Sequence, residues 1–132
     1  MKARYREGSL HTEFLTENIC KESILWYSLL ESILKDIKYW QLLYKNKFYQ
    51  LSFSELILLK VEIEECTKEV SELLKALYRH VNDIDKLLEC DEVECEYFHL
   101  NNHLLLYRQI DDELIHFLNL KLRIANSLKE KL

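Results

Sequence analysis

The chain has no proline and a single glycine, Gly8. Sandwiches, barrels and α/β folds need many tight turns, and turns draw on those two residues. Their scarcity excludes strand-rich architectures and leaves few, long helices. There is no run of about 18 apolar residues, so no membrane span is expected. Positive charge is also short: 18 Lys and Arg stand against 23 Asp and Glu, a formal net charge of −5. Nucleic-acid binding draws on a basic surplus for phosphate contact, so that class is set aside. Residues 1–9 are charged and lead into a mixed stretch at Leu10, so no secretory leader is read. The four cysteines then read as reduced thiols of a cytoplasmic protein more readily than as two disulfides.

The common catalytic signatures are missing too. No Gly-rich phosphate loop and no Gly-x-Ser-x-Gly elbow occurs. Glu113-Leu-Ile-His116 matches the Glu-x-x-His of di-iron bundles. Those sites need two such pairs and carboxylates from further helices, and His116 falls away from the apolar stripe of its helix. Asp111, Asp112 and Glu113 are consecutive, fan over about 200° of a helix and read as a solvated face. No enzyme is expected.

What the chain does have is an unbroken seven-residue repeat between Leu56 and Leu87. One line of it is Leu56, Ile63, Val70, Leu77 and Ile84. The other is Leu59, Cys66, Leu73, His80 and Leu87. Alternating steps of three and four place all ten on one stripe of a helix. Only His80 breaks the apolar pattern. Ser52-Phe53-Ser54-Glu55 is a capping box, and Leu51 with Leu56 forms a hydrophobic staple. This predicts a helix from Phe53 to about Cys90, with Asn82 and Asp83 as the place where it could kink.

Before the break at Phe48 to Ser52, a first helix is expected over residues 10–47, capped by Ser9 or Thr12 after a flexible tail at 1–9. Its stripe is Ile19, Trp26, Ile33 and Trp40, interleaved with Leu30, Ile37 and Tyr44. Lys45 and Lys47 suit its carbonyl end. Residues 83–96 hold seven acids and one base, Lys86, and read as an exposed turn. Asp91 with Glu94 is placed to cap a third helix over 97–129. Its buried side is predicted as His103, Tyr107, Ile110, Leu114, Phe117, Ile124 and Leu128, widened by Leu100, Leu104 and Leu118, with Lys121 snorkelling beside it. At 132 residues the chain has the length of one domain. The fold class is all-α, an up-down-up bundle of three long helices, completed by self-association.

The expectation of self-association comes from the first helix. It is apolar around most of its circumference, and such helices are buried around most of it. Ile24, Leu25, Leu42 and Leu43 lie off the main stripe. With Trp26 and Trp40 they form the expected interaction set, since Trp is enriched at interface centres. The leading function is therefore non-enzymatic: an adaptor, chaperone-like or assembly role with a second copy or a helical partner. The alternative is a metal- or ligand-binding bundle. Hairpin lengths put His80 level with Cys20 and His103, and Cys95 and His99 precede His103 on the same face. Thiolate and imidazole at this spacing suit zinc or another transition metal, although no cofactor is required by the sequence. A third reading, recognition of a basic partner by Glu89–Glu96, rests on charge alone.

Overall fold

The computed structural model describes the backbone of residues 2–46 and 51–131 and the side chains of 13–43 and 51–127. Among them are α1 (Lys2–Asn46), α2 (Phe53–Asp83), the short α3 (Asp85–Leu88) and α4 (Val93–Lys131), and no strand. The side chains of Ser9, Thr12, Tyr44, Lys45, Lys47 and Leu128, and the break from Phe48 to Gln50, lie outside the described residues. The three long helices form the expected all-α bundle. Trp26 stacks on His103 and Trp40 on Phe117, so α1 and α4 advance together. Arg123 reaches Glu62 while His103 reaches His80, so α2 runs against α4.

One spacing rule builds all three seams. On α2, Ile63, Cys66, Val70, Leu77, Ile84 and Leu87 are buried, and Leu56, Leu59, Leu73 and His80 are half-buried. On α1, Ile19, Ser23, Trp26, Leu30, Ile33, Ile37 and Trp40 are buried. Ser23 is tolerated there because its hydroxyl donates to the Ile19 carbonyl at 2.7 Å. On α4 the buried set is His103, Leu106, Ile110, Glu113, Phe117, Leu120 and Ile124. Steps of three and four recur without a fault, which keeps each stripe facing its neighbours. The α4 seam corrects the predicted one. Leu106, Glu113 and Leu120 take the inward positions, Tyr107 is exposed at the edge, Leu114 is half-buried, and Leu104 and Leu118 face solvent. Lys121 is also exposed, its ammonium 3.9 Å from Asp36 of α1.

The helix ends differ in how well local chemistry specifies them. The Glu55 amide donates to Ser52 Oγ at 3.3 Å, and that hydroxyl donates to the Glu55 carboxylate at 2.9 Å, as the capping box requires. Leu51 is buried and Leu56 packs on the same core. By contrast α1 is already helical at Lys2, so neither Ser9 nor Thr12 stands at its start. α2 stops at Asp83 instead of running to Cys90. The chain there tightens into three-residue turns: Ile84 donates to Val81, Leu87 to Ile84 and Cys90 to Leu87. Ile84 and Leu87 stay buried against Ile19 through this change. α4 begins at Val93, four residues ahead of the predicted start at Tyr97, and carries Glu94 and Glu96 in its first turn. Negative charge is favourable at that end of the helix dipole. A forked Arg123–Glu62 pair, at 2.8 and 2.6 Å, joins the far end of α4 to α2.

Candidate functional site

Two polar layers interrupt the apolar seam between α2 and α4. The first was expected. His80 Nε2 lies 2.9 Å from His103 Nδ1, and His103 Nε2 lies 3.4 Å from the Glu22 carboxylate of α1. The Trp26 indole stacks over His103 at 4.4 Å between centroids, and Tyr107 tilts against the same indole. Glu22 accepts, which puts the His103 proton on Nε2 and leaves Nδ1 to accept from His80 Nε2–H. His103 is only 3% exposed, and burial pushes its pKa below that of a free imidazole, against the pull of Glu22. Burial also lowers His80, followed by the charges of His103 and His99, with Asp83 opposing.

This pair makes stability depend on pH. Both folded values lie below the ~6.5 of a free imidazole, so in that interval the unfolded chain binds more protons. The contribution is complete above about pH 6.5 and is lost as pH falls through the folded values. Urea unfolding at about pH 7.5 and about pH 5.5 is expected to show this loss in a Glu113→Gln background, which removes the opposite contribution of that buried carboxyl over the same interval. A variant with His80→Gln and His103→Gln should lose less over the same interval. Equal losses in both proteins would remove the pair from the account.

The other residues expected near this layer stand elsewhere. Cys20 packs with Ile19, Ile84 and Leu87, and it is Glu22 and Trp26 of α1 that meet His103. The expected layer centres the first hairpin near residue 50; a centre at about residue 51–53 brings the Glu22–Trp26 turn, and not Cys20, level with His80. Cys95 is bonded to Cys90 in a disulfide, with the Cα atoms 5.5 Å apart. That corrects the reading of four reduced thiols; Cys20 and Cys66 are the free ones. It also removes the basis for inferring a compartment from cysteine usage. The His99 ring is near this bond, and one ligand atom from each of Cys90, Cys95 and His99 falls within 4.8 Å of the others. In the disulfide those sulfurs are not thiolates, the form that binds metal.

The second polar layer was missed. Cys66 and Glu69 of α2 face Glu113 and His116 of α4. The Cys66 thiol donates to Glu113 Oε1 at 3.5 Å. His116 Nδ1 lies 3.3 Å from Glu69 Oε2 and 3.5 Å from Glu113 Oε1. Glu113 is 7% exposed, so the solvated-face reading fails for it. Burial raises its pKa to about 7, helped by a hydrogen bond to Glu69 and by that residue's charge. Glu69 moves the other way, held down by its hydrogen bond to Glu113 and by His116. Burial, then Glu113, push the Cys66 thiol up to about 12, so it stays protonated. The signal for this layer was in the spacing: a three-four count from His103 lands on Glu113.

The expected interaction set divides as well. Trp26 and Trp40 are buried in the bundle's own core, and Leu43 packs against it. Ile24 and Leu25 are each 60% exposed and Leu42 is 58% exposed. A shallow open groove between α1 and α2 is lined by Tyr27, Leu74, Lys75, Tyr78 and Arg79. Among the described residues no helix is long and apolar enough to cross a membrane. The chain matches no family model, and searches of curated proteins and of solved structures find no match.

Proposed function

We propose that this protein is a non-catalytic docking bundle that associates with a second copy of itself along the outer edge of α1 and α4. The observation that carries the reading is the apolar rim on both sides of that seam. Leu25 stands one turn beyond Glu22, which touches α4, and Tyr39 one turn beyond Asp36, which also touches α4. On the other side, Leu104 precedes Tyr107 and Leu118 precedes Lys121 by one turn, and those two residues touch α1. All four rim residues are exposed. Ile115 and Leu122 of α4, and Leu42 of α1, extend the rim outward, all of them exposed, while Ile24 falls on the α2 side, one turn before Tyr27. α1 and α4 also pack more closely on α2 than on each other. Single exposed leucines are ordinary, but a row of them along one helix seam is what interaction surfaces present. A helix laid along the α1–α4 seam would give the bundle its fourth member.

Sedimentation velocity from low to high micromolar concentration tests this. The wild-type chain is expected to dimerise. Leu25→Glu with Leu118→Glu should weaken the dimer by at least about tenfold, or ~1.4 kcal/mol. Monomer stability should move by less than about 0.5 kcal/mol, as for other surface changes. A wild-type protein that stays monomeric throughout would overturn the proposal. In the His80–His103 layer each imidazole is the other's hydrogen-bond partner, and metal analysis of the untagged protein decides the ligand-binding alternative there.

A further inference from the structure

We propose that Glu69, Glu113 and His116 form a binding site for one divalent first-row transition ion, with zinc as the reference ligand and the fourth coordination position open. The site is independent of the docking surface.

One ligand atom from each of the three residues falls within 4.8 Å of the others. The two separations from His116 Nδ1 are 3.3 Å to Glu69 and 3.5 Å to Glu113. Zinc holds nitrogen and carboxylate oxygen at about 2.0–2.2 Å, so two ligands on a tetrahedral centre stand roughly 3.4 Å apart. Two of the three edges already have that length, and the third, between the carboxylates, is within 4.8 Å. An ion would fit between them with little movement.

Charge comes next. Among the described residues neither Glu69 nor Glu113 has a lysine or arginine partner; the ion pairs of both are with His116. Two carboxylates converge with a single imidazole for compensation. A divalent ion would neutralise both.

Donor type narrows the ion. One nitrogen and two oxygens suit zinc and its first-row neighbours, whereas calcium takes six to eight oxygens and magnesium keeps an octahedral shell. The lone Glu113-x-x-His116 pair supplies ligands for one ion, not two.

The surroundings fit the same reading. Glu113 is the buried floor, while Glu69 and His116 are partly open to solvent and leave an entry path. The Cys66 thiol donates to Glu113 Oε1, the outer hydrogen bond that orients a ligating carboxylate. It also gives a reason for a carboxyl group in an apolar seam, where it otherwise lowers stability.

The experiment uses the full, untagged chain, stripped with chelator and kept oxidised so that the Cys90–Cys95 bond stays closed. Titration calorimetry with Zn(II) should show one ion per chain. Co(II) should give the intense visible bands of a low-coordinate site. Glu113→Gln and His116→Gln should each weaken Zn(II) by at least about 100-fold, and Cys66→Ala by about 10- to 100-fold, the usual range for an outer-shell partner. Amide NMR of the wild-type protein with Co(II) needs no variant. Its paramagnetic shifts should centre on the residues flanking Glu69, Glu113 and His116. The proposal is overturned if no ion binds, if Glu113→Gln and His116→Gln bind as the wild type does, or if the shifts centre on His99 or His80.

Discussion

Trp26→Ala is expected to lower the unfolding free energy by about 3–5 kcal/mol, the range for truncating a large buried aromatic. Its indole lies in the core of a single chain, stacked on His103 and against Tyr107. Truncation removes that surface and opens a void beside a buried imidazole, which keeps only the His80 ring stacked on it at 5.1 Å. The loss should be the same at low and high protein concentration in urea unfolding, because the contact is within one bundle. Trp40→Ala should behave alike, since Trp40 stacks on Phe117 at 5.1 Å. A loss that appears only where the protein is dimeric would return these two residues to the interface.

Glu113→Met should do the reverse and raise stability by about 1–3 kcal/mol, measured in chelator. A buried carboxyl gives up hydration that its partners only partly restore. Replacing a buried ionic group by an apolar side chain of similar shape is often neutral or stabilising. Methionine follows the unbranched shape of glutamate and fills irregular space. Cys66 would lose an acceptor, which is a small penalty for a weak S–H donor. Glu69 keeps His116. The same variant should no longer bind Zn(II), so stability and binding would move in opposite directions. A clear loss of stability would mean that the hydrogen bonds to Glu113 outweigh its desolvation.

The two residues also show what could be read from the chain and what could not. Trp26 was placed correctly on the α1 stripe, but a tryptophan on a stripe serves a core or an interface equally well. Only the packed helices decide. Glu113 was misplaced because apolar character and spacing disagree there, and the reading followed apolar character to Leu114. The Leu56–Leu87 stripe was legible because the two signals agree at every position but His80. So was the start at Phe53, where hydroxyl, carboxylate and flanking leucines all mark one turn. The stop at Asp83 was marked only by Asn82 and Asp83, read as a place to kink and not as an end. Ile84 keeps a right-handed helical backbone, and only the hydrogen bonds shorten their step. From that point Cys90 comes within reach of Cys95, whereas Cys20 leaves the histidine layer because the first hairpin centres a little later than residue 50. The His80–His103 meeting survived because the second hairpin was centred correctly.

A sevenfold repeat in every helix has a drawback: sliding one rod past another by a full repeat would again set apolar against apolar. The two polar layers remove this degeneracy of register. Shifted by one repeat along α2, Glu113 would face Leu59 or Leu73 in place of Cys66, and His103 would face Leu73 or Leu87 in place of His80. Each slip strands two buried polar groups, at about 1–3 kcal/mol apiece. The same side chains that weaken the core therefore act as index marks, admitting one alignment of the helices out of several that greasy contact alone would allow.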